Sequence, residues 1–217
     1  PYDEEHGYVP AGSYENGQVV DSYGGGICQV STTLYNALLY SEVEITKRYP
    51  HSMLVNYVEP SRDAAIAGDT KDLRFKNNYD TPIYIHGKID DNNQLTFAIY
   101  GKETRPENRK IKLVSETTKT EEYSVTYKTN SEAAIGSMEY TGSPHTGKTA
   151  RLWKVIYEDG EEVGKEQIND SYYKKSDQII EVGTKSDNPE ASALVKNAVA
   201  TQDRDKINAA IAQAAAI

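Results

Sequence analysis

The chain has 217 residues, of which 37% are hydrophobic and 26% charged, with a formal net charge of -9. That length accommodates one large or two modest domains, and the acidic balance, without a basic patch, argues against a DNA- or RNA-binding surface. No apolar run reaches the roughly 18 residues of a membrane span, and a lone cysteine excludes an internal disulfide.

Residues 1 to 23 are polar and turn-rich. Asn16-Gly17 is a hairpin signal, Gln18-Val19-Val20 reads as a short strand, and His6 reads as a solvated loop histidine. A start at Pro1 without methionine reads as a mature or excised form, with an export signal or membrane anchor expected upstream.

The most informative stretch is Gly24-Gly25-Gly26-Ile27-Cys28-Gln29-Val30-Ser31-Thr32-Thr33-Leu34, where three glycines run into the single cysteine and a helical pattern begins. Val30, Leu34, Ala37 and Leu38 fall on one face of a helix over about residues 27 to 40. Cys28 then lies in the first turn, beside free N–H groups and the positive end of the helix dipole. That setting favours the thiolate, the form that attacks carbonyls. The competing reading is a buried, inert thiol packed as a small hydrophobe. Gln29, Ser31 and Thr32 can donate to peptide carbonyls or serve as capping residues. Backbone N–H groups from Gly26 to Cys28 are the simplest oxyanion hole.

Ser41 to Ile45 breaks the helical period, and His51 to Val58, between Pro50 and Pro60, reads as a strand. Alternation puts His51, Met53, Val55 and Tyr57 on one face. A helix-borne cysteine facing a histidine at a strand start is the arrangement of papain-like enzymes, which makes His51 a candidate base as well as a structural histidine. Arg48 reads as a clamp for a substrate carboxylate or as a solvated surface arginine. From Asp72 the chain reads as a β-meander over Leu73–Phe75, Pro82–Ile89 and Leu95–Tyr100. Asp72 can orient His51 or cap a loop, and His86 reads as an exposed strand residue. The histidines and the cysteine are too scattered for a zinc site, so neither metal nor cofactor is expected.

Residues 102–110 form a charged, proline-bearing connector. Strand-like runs then fill 111–185, punctuated by glycines 136, 142, 147, 160 and 183, with an Asp159-Gly160 hairpin turn and a solitary His145. From 186 the character changes again. Asn188-Pro189 starts a helix, and Ala191, Leu194, Val195, Ala198, Val199, Ile207 and Ile211 give its stripe.

Gly24 to Leu39, followed by Arg48-Tyr49-Pro50-His51-Ser52, by Asp72-Leu73-Arg74-Phe75-Lys76-Asn77-Asn78 with Thr81-Pro82-Ile83, and by Ile99-Tyr100-Gly101, resembles the VanW-like family. The resemblance covers about residues 7 to 101, and the family pattern begins somewhat earlier, which implies a first strand upstream. It implies a bacterial cell-envelope protein, exported and anchored at the extracellular face or in the wall. Members look like L,D-transpeptidases distinct in sequence from YkuD-like enzymes. On that resemblance Cys28 is the acyl-accepting nucleophile acting on peptidoglycan stem peptides through a thioester, and His51 is its base. Ser52 orients the histidine or the substrate, by analogy with the His-Ser pair of YkuD-like enzymes. Gly26, Gln29, Ser31, Thr32 and Arg48 are the candidate substrate-binding residues.

Residues 111–185, with Tyr140-Thr141-Gly142 and Val182-Gly183-Thr184-Lys185 as the most telling pieces, resemble the G-five (G5) domain. That module is extended and all-β, and it implies affinity for N-acetylglucosamine-containing glycan. The expected fold is therefore α+β. A mixed α/β catalytic domain at 1–101 carries an antiparallel meander, followed by the connector, the all-β module at 111–185 and a helical tail at 186–217. The alternatives are a non-catalytic peptidoglycan-binding protein and a cysteine carboxypeptidase or endopeptidase acting on the same stem peptides.

Overall fold

The structure, a computed structural model, describes residues 2–15 and 18–217. Among them it is mostly β. In chain order the elements are β1 (Pro10–Glu15), β2 (Gln18–Tyr23), α1 (Ile27–Tyr40), β3 (Glu44–Lys47), β4 (Arg74–Lys76), β5 (Tyr84–Ile89), β6 (Leu95–Tyr100) and β7 (Arg109–Glu121). They continue with β8 (Val125–Ala134), β9 (Met138–Thr141), β10 (Gly147–Glu158), β11 (Glu161–Tyr173), β12 (Gln178–Lys185), α2 (Pro189–Ala200) and α3 (Arg204–Ala214). β1 and β2 pair antiparallel, but the Asn16-Gly17 signal between them lies outside the described residues. None of the helices described is long and apolar enough to cross a membrane.

The chain divides into two compact units, Pro1–Glu121 with Gly147–Lys174, and Glu122–Thr146 with Lys175–Ile217. The division does not follow the connector at 102–110. The strands of the all-β segment form two three-stranded sheets, β11-β10-β7 and β8-β12-β9, and the first of these belongs to the same unit as α1.

In the first unit, Tyr35 and Leu39 of α1 pack with Ala64, with Leu113 of β7 and with Leu152 of β10. Burying each large apolar side chain contributes about 1.5–3 kcal/mol. Helix α1 ends in a Schellman arrangement: the Val43 N–H donates to Leu38 O at 3.1 Å and the Glu42 N–H to Leu39 O at 3.0 Å. Glu42 takes the left-handed position that glycine usually fills, with φ 54. Its carboxylate explains the choice. It accepts from both guanidinium ends of Arg109, from Lys154 at 3.0 Å and from Arg105 at 3.3 Å. These bonds hold the Glu42 carboxyl down at about 2, against the opposing push of burial. Glu42→Gly relieves the backbone yet takes from Arg109 its paired carboxylate and from Arg105 and Lys154 one of two, Glu103 and Glu166 being left to them. We expect it to lower stability by about 2 kcal/mol, read as a shifted urea midpoint at an unchanged slope.

Two expectations for this unit need correction. Residues 51–58 form no strand, although His51, Met53 and Val55 are buried at alternate positions. The meander from Asp72 is not one sheet among the described residues: β4 pairs with β3, and β5 and β6 form a separate two-stranded sheet. Alternating runs show where extended chain lies, and say nothing of its partner.

The second unit places β12 parallel to β8 and antiparallel to β9. Ile180 and Val182 of β12 pack with Ala191, Val195 and Val199 of α2 and with Ile207 and Ala210 of α3. The expected helical stripe is thus a core face. Asn188 caps α2 by accepting from the Glu190 N–H at 2.9 Å, and Pro189 opens the helix.

Candidate active site

Cys28 stands in the first turn of α1, half-buried. The helix is capped by Gly26 with φ 88, a conformation in which glycine pays no Cβ penalty. Gly26 also brings no side chain to the cap. The Gln29 N–H turns back to Gly26 O at 2.9 Å and the Ile27 N–H to Gly24 O at 3.2 Å. Among the described residues the Cys28 N–H has no protein acceptor, whereas a serine or aspartate cap would have taken a donor of this turn. An open N–H at the residue that carries the thiol is the kind of donor an oxyanion hole uses. Gly25 is needed for a different reason: a Cβ there would lie 2.2 Å from the Ala11 carbonyl oxygen, so β1 can close against the glycine turn only if position 25 is bare.

These elements bound a cleft of about 260 Å³, lined by Gly12 and Ser13 of β1, the three glycines, Cys28, Gln29, His51, Val55, Asn56 and Tyr57. His51 is buried, 9% exposed, and lines the same cleft as Cys28. The Cys28 thiol donates to the Ile66 carbonyl at 3.3 Å.

The group that fixes His51 is Asp63, whose side chain is fully buried. One carboxylate oxygen, Oδ2, accepts from His51 Nδ1 and from the His51 backbone N–H, each at 2.7 Å. The other, Oδ1, accepts from Arg48 Nη2 at 2.7 Å and from the Tyr173 hydroxyl at 2.5 Å. With Nδ1 committed, Nε2 is the ring nitrogen left for Cys28, and the Tyr57 hydroxyl lies 3.4 Å from it. Burial pushes the Asp63 carboxyl up, but the His51 bond, the Arg48 charge and Tyr173 overcome it and hold the group at about 2. Burial also lowers His51; its bond to Asp63, with the Asp63 charge and Cys28 beside it, outweighs that and raises it above the ordinary imidazole value. For Cys28, burial raises the thiol, while His51, the Ile66 carbonyl and the Lys71 charge bring it below its usual range. Both shifts run in the direction that favours transfer of the thiol proton toward His51, beside a carboxylate that stays ionised.

The other sequence-predicted residues fall differently. Gly26 and Gln29 line the cleft. Ser31 and Thr32 are buried, and their hydroxyls bond to the Ala64 carbonyl at 2.6 and 3.4 Å, so they tie α1 to the Asp63 segment instead of facing substrate. Arg48 is neither a solvated surface residue nor a free clamp. It is 6% exposed and donates through Nε to Asp63 O at 2.6 Å as well as to the Asp63 carboxylate. Ser52 is exposed and does not line the cleft; its carbonyl accepts from the Lys174 N–H at 2.8 Å. Asp72 bonds to Arg74 at 2.6 Å on the surface, and the orienting contact to His51 comes from Asp63 instead. Asp63 was missed because Ser61-Arg62-Asp63 reads as a polar loop. The available signal was a carboxylate placed directly against the apolar run Ala64-Ala65-Ile66-Ala67.

The segment before Asp63 is built around a strained residue. Ser61 is fully buried with φ 67, a conformation costing a non-glycine residue on the order of 1 kcal/mol or more. Its N–H donates to the Tyr173 oxygen at 2.6 Å, its hydroxyl lies 3.0 Å from Ala150 O, and its carbonyl accepts from Asn169 at 3.1 Å. The surroundings thus over-determine it.

Two regions of the chain are similar to known families. Residues 1–100 match the family described as VanW like protein, and residues 114–185 match the G5 domain family. YoaR of Bacillus subtilis (strain 168) is 44% identical over 82 residues, which is 38% of this chain and 27% of YoaR, so the chain spans about a quarter of that relative. Two solved structures are also similar in part. An IgA1 protease G5 domain is 23% identical, with a TM-score of 0.28, and covers 36% of this chain and 94% of its own. The HP0197-G5 structure is 13% identical, with a TM-score of 0.22, over 35% of this chain and 95% of its own. The chain thus carries a region similar to the VanW-like family, followed by a region similar to the G5 domain family.

Proposed function

We propose that this protein is a cysteine acyltransferase of the cell wall, an L,D-transpeptidase that joins peptidoglycan stem peptides. The observation that carries the reading is that Cys28 and His51 line one cleft, with His51 Nδ1 bonded to the buried Asp63 carboxylate. A nucleophile, a base and an orienting carboxylate in this order are the parts that acyl transfer needs.

In the first half-reaction the Cys28 thiolate attacks the carbonyl carbon that precedes the terminal D-alanine of a donor stem. The oxyanion forms beside the open Cys28 N–H. Imidazolium His51 gives its Nε2 proton to the leaving amine, D-alanine departs, and a thioester remains. In the second, neutral His51 takes a proton from an acceptor amine as that nitrogen attacks the thioester. The new amide forms, and the thiolate–imidazolium pair is restored. Water in place of the amine makes the same site a carboxypeptidase. The G5 region is the proposed contact to N-acetylglucosamine-containing glycan, at the extracellular face of the envelope.

The test is incubation with tetrapeptide-bearing muropeptides. Cross-linked dimers should form with the native protein and be absent with Cys28→Ala. Tripeptides in place of dimers would assign the carboxypeptidase, and an unchanged substrate would leave a wall-binding protein.

A further inference from the structure

Two of the side chains that hold the Asp63 network lie more than a hundred residues downstream, in β11 and inside the stretch that matches the G5 family. Tyr173 is fully buried, donates to Asp63 Oδ1 at 2.5 Å and accepts the Ser61 N–H at 2.6 Å. Ser171, 2% exposed, accepts from Arg48 Nη1 at 2.8 Å and lies 2.9 Å from the Ser61 hydroxyl. Both belong to the same compact unit as Cys28 and His51. A G5 module whose only task was to hold glycan would have no need to bury a tyrosine hydroxyl against the carboxylate of another domain's histidine.

We infer that Tyr173 and Ser171 are positioning residues of the cysteine site, acting on His51 through Asp63 and Arg48, so that the reactive centre is completed by a strand of the G5-matching segment. The inference rests on Cys28 being the nucleophile. Two donors on Oδ1 fix the plane of the carboxylate, and with it the ring of His51, which is bonded to Oδ2. They also divide the carboxylate's charge between its two oxygens. Burial raises the Tyr173 phenol to about 12, so it remains a donor wherever the enzyme works. The titratable and charged groups around the pair are Tyr35 and Cys28 of α1, Arg48, Tyr57 and Lys71 of the loops, and Tyr173 of β11.

Removing the Tyr173 hydroxyl turns the carboxylate's charge toward Oδ2 and strengthens its hold on the imidazolium proton, while freeing Asp63 to rotate. Native chain, Tyr173→Phe, Ser171→Ala and Asn169→Ala should each be alkylated with iodoacetate over a range of pH, with reactive thiols counted per molecule. The rate with this anionic reagent falls as His51 loses its proton, so the upper limb reports the histidine. Asn169 is the control: it lies on the same strand and bonds to Tyr35 and Ser61 but not to Asp63 or Arg48. Tyr173→Phe should keep one reactive thiol, react about three- to tenfold more slowly near neutrality, and move the upper limb upward by roughly half a pH unit. Ser171→Ala should slow the reaction in the same sense and serves if the phenylalanine variant does not fold. Asn169→Ala should leave the limb in place. An upper limb unmoved in Tyr173→Phe and Ser171→Ala, or moved equally in Asn169→Ala, would overturn the inference. If native Cys28 itself reacts as an ordinary thiol, it is the reading of the site that fails.

Discussion

Replacing Asp63 by alanine should lower Cys28 alkylation at pH 6 by about a hundredfold and reduce stability by about 3–5 kcal/mol. Both effects follow from one buried carboxylate with four donors: the His51 ring and backbone N–H, Arg48 and Tyr173. Without it Arg48, 6% exposed, is an uncompensated buried cation, and His51 loses the contact that sets its tautomer and raises its proton affinity. Asp63→Asn should separate the effects. It keeps the shape, so stability falls less, but its amide cannot accept from all four donors, so reactivity still falls. The native chain carries the same signature in its acid response. Asp63 is held at about 2 against an ordinary 3.8. A depressed carboxyl contributes stability that is complete above the ordinary value and is lost as pH falls through the folded one. About 2 kcal/mol should therefore disappear between roughly pH 4 and pH 2, and Asp63→Asn should flatten that part of the curve. His51, raised, acts in the opposite sense: its contribution is present below 6.5 and is lost as pH climbs through its folded value.

His51→Ala should bring the largest change in chemistry with the smaller change in stability. The thiol loses the imidazole whose influence offsets its burial. Its protonation should return to the ordinary cysteine range or above. At pH 6 the thiolate fraction, and the alkylation rate with it, should fall by about two orders of magnitude, while the two proteins converge near pH 9. Asp63 keeps Arg48 and Tyr173 in this variant, so no buried charge is stranded. Acylation by a tetrapeptide should be lost at every pH, because no group remains to protonate the leaving amine.

What was legible in the sequence was what local rules control. The bounds of α1 follow from the glycine run before it and the broken period after it, and the Asn188-Pro189 start of α2 follows from capping. Cys28 and His51 are legible as candidates because a thiol at a helix start and an imidazole nearby each need little else, and the two line one cleft. Asp63 depends on Arg48, Ser171 and Tyr173, partners brought together only by the path of the chain, and nothing in its neighbours' periodicity signals burial. Residues 51–58 alternate because His51, Met53 and Val55 face a core; alternation tracked burial and not a hydrogen-bonded ladder. Arg48 looked like a binding residue because a guanidinium fits a carboxylate. The carboxylate it fits is one of the protein's own.

The pH dependence of Cys28 alkylation by iodoacetamide in the full native chain puts the account to its most direct trial. A thiolate paired with imidazolium should react well below pH 7, at a rate nearly flat across neutrality and dependent on His51. A rate that rises only through the ordinary thiol range and matches that of the urea-unfolded chain would contradict it.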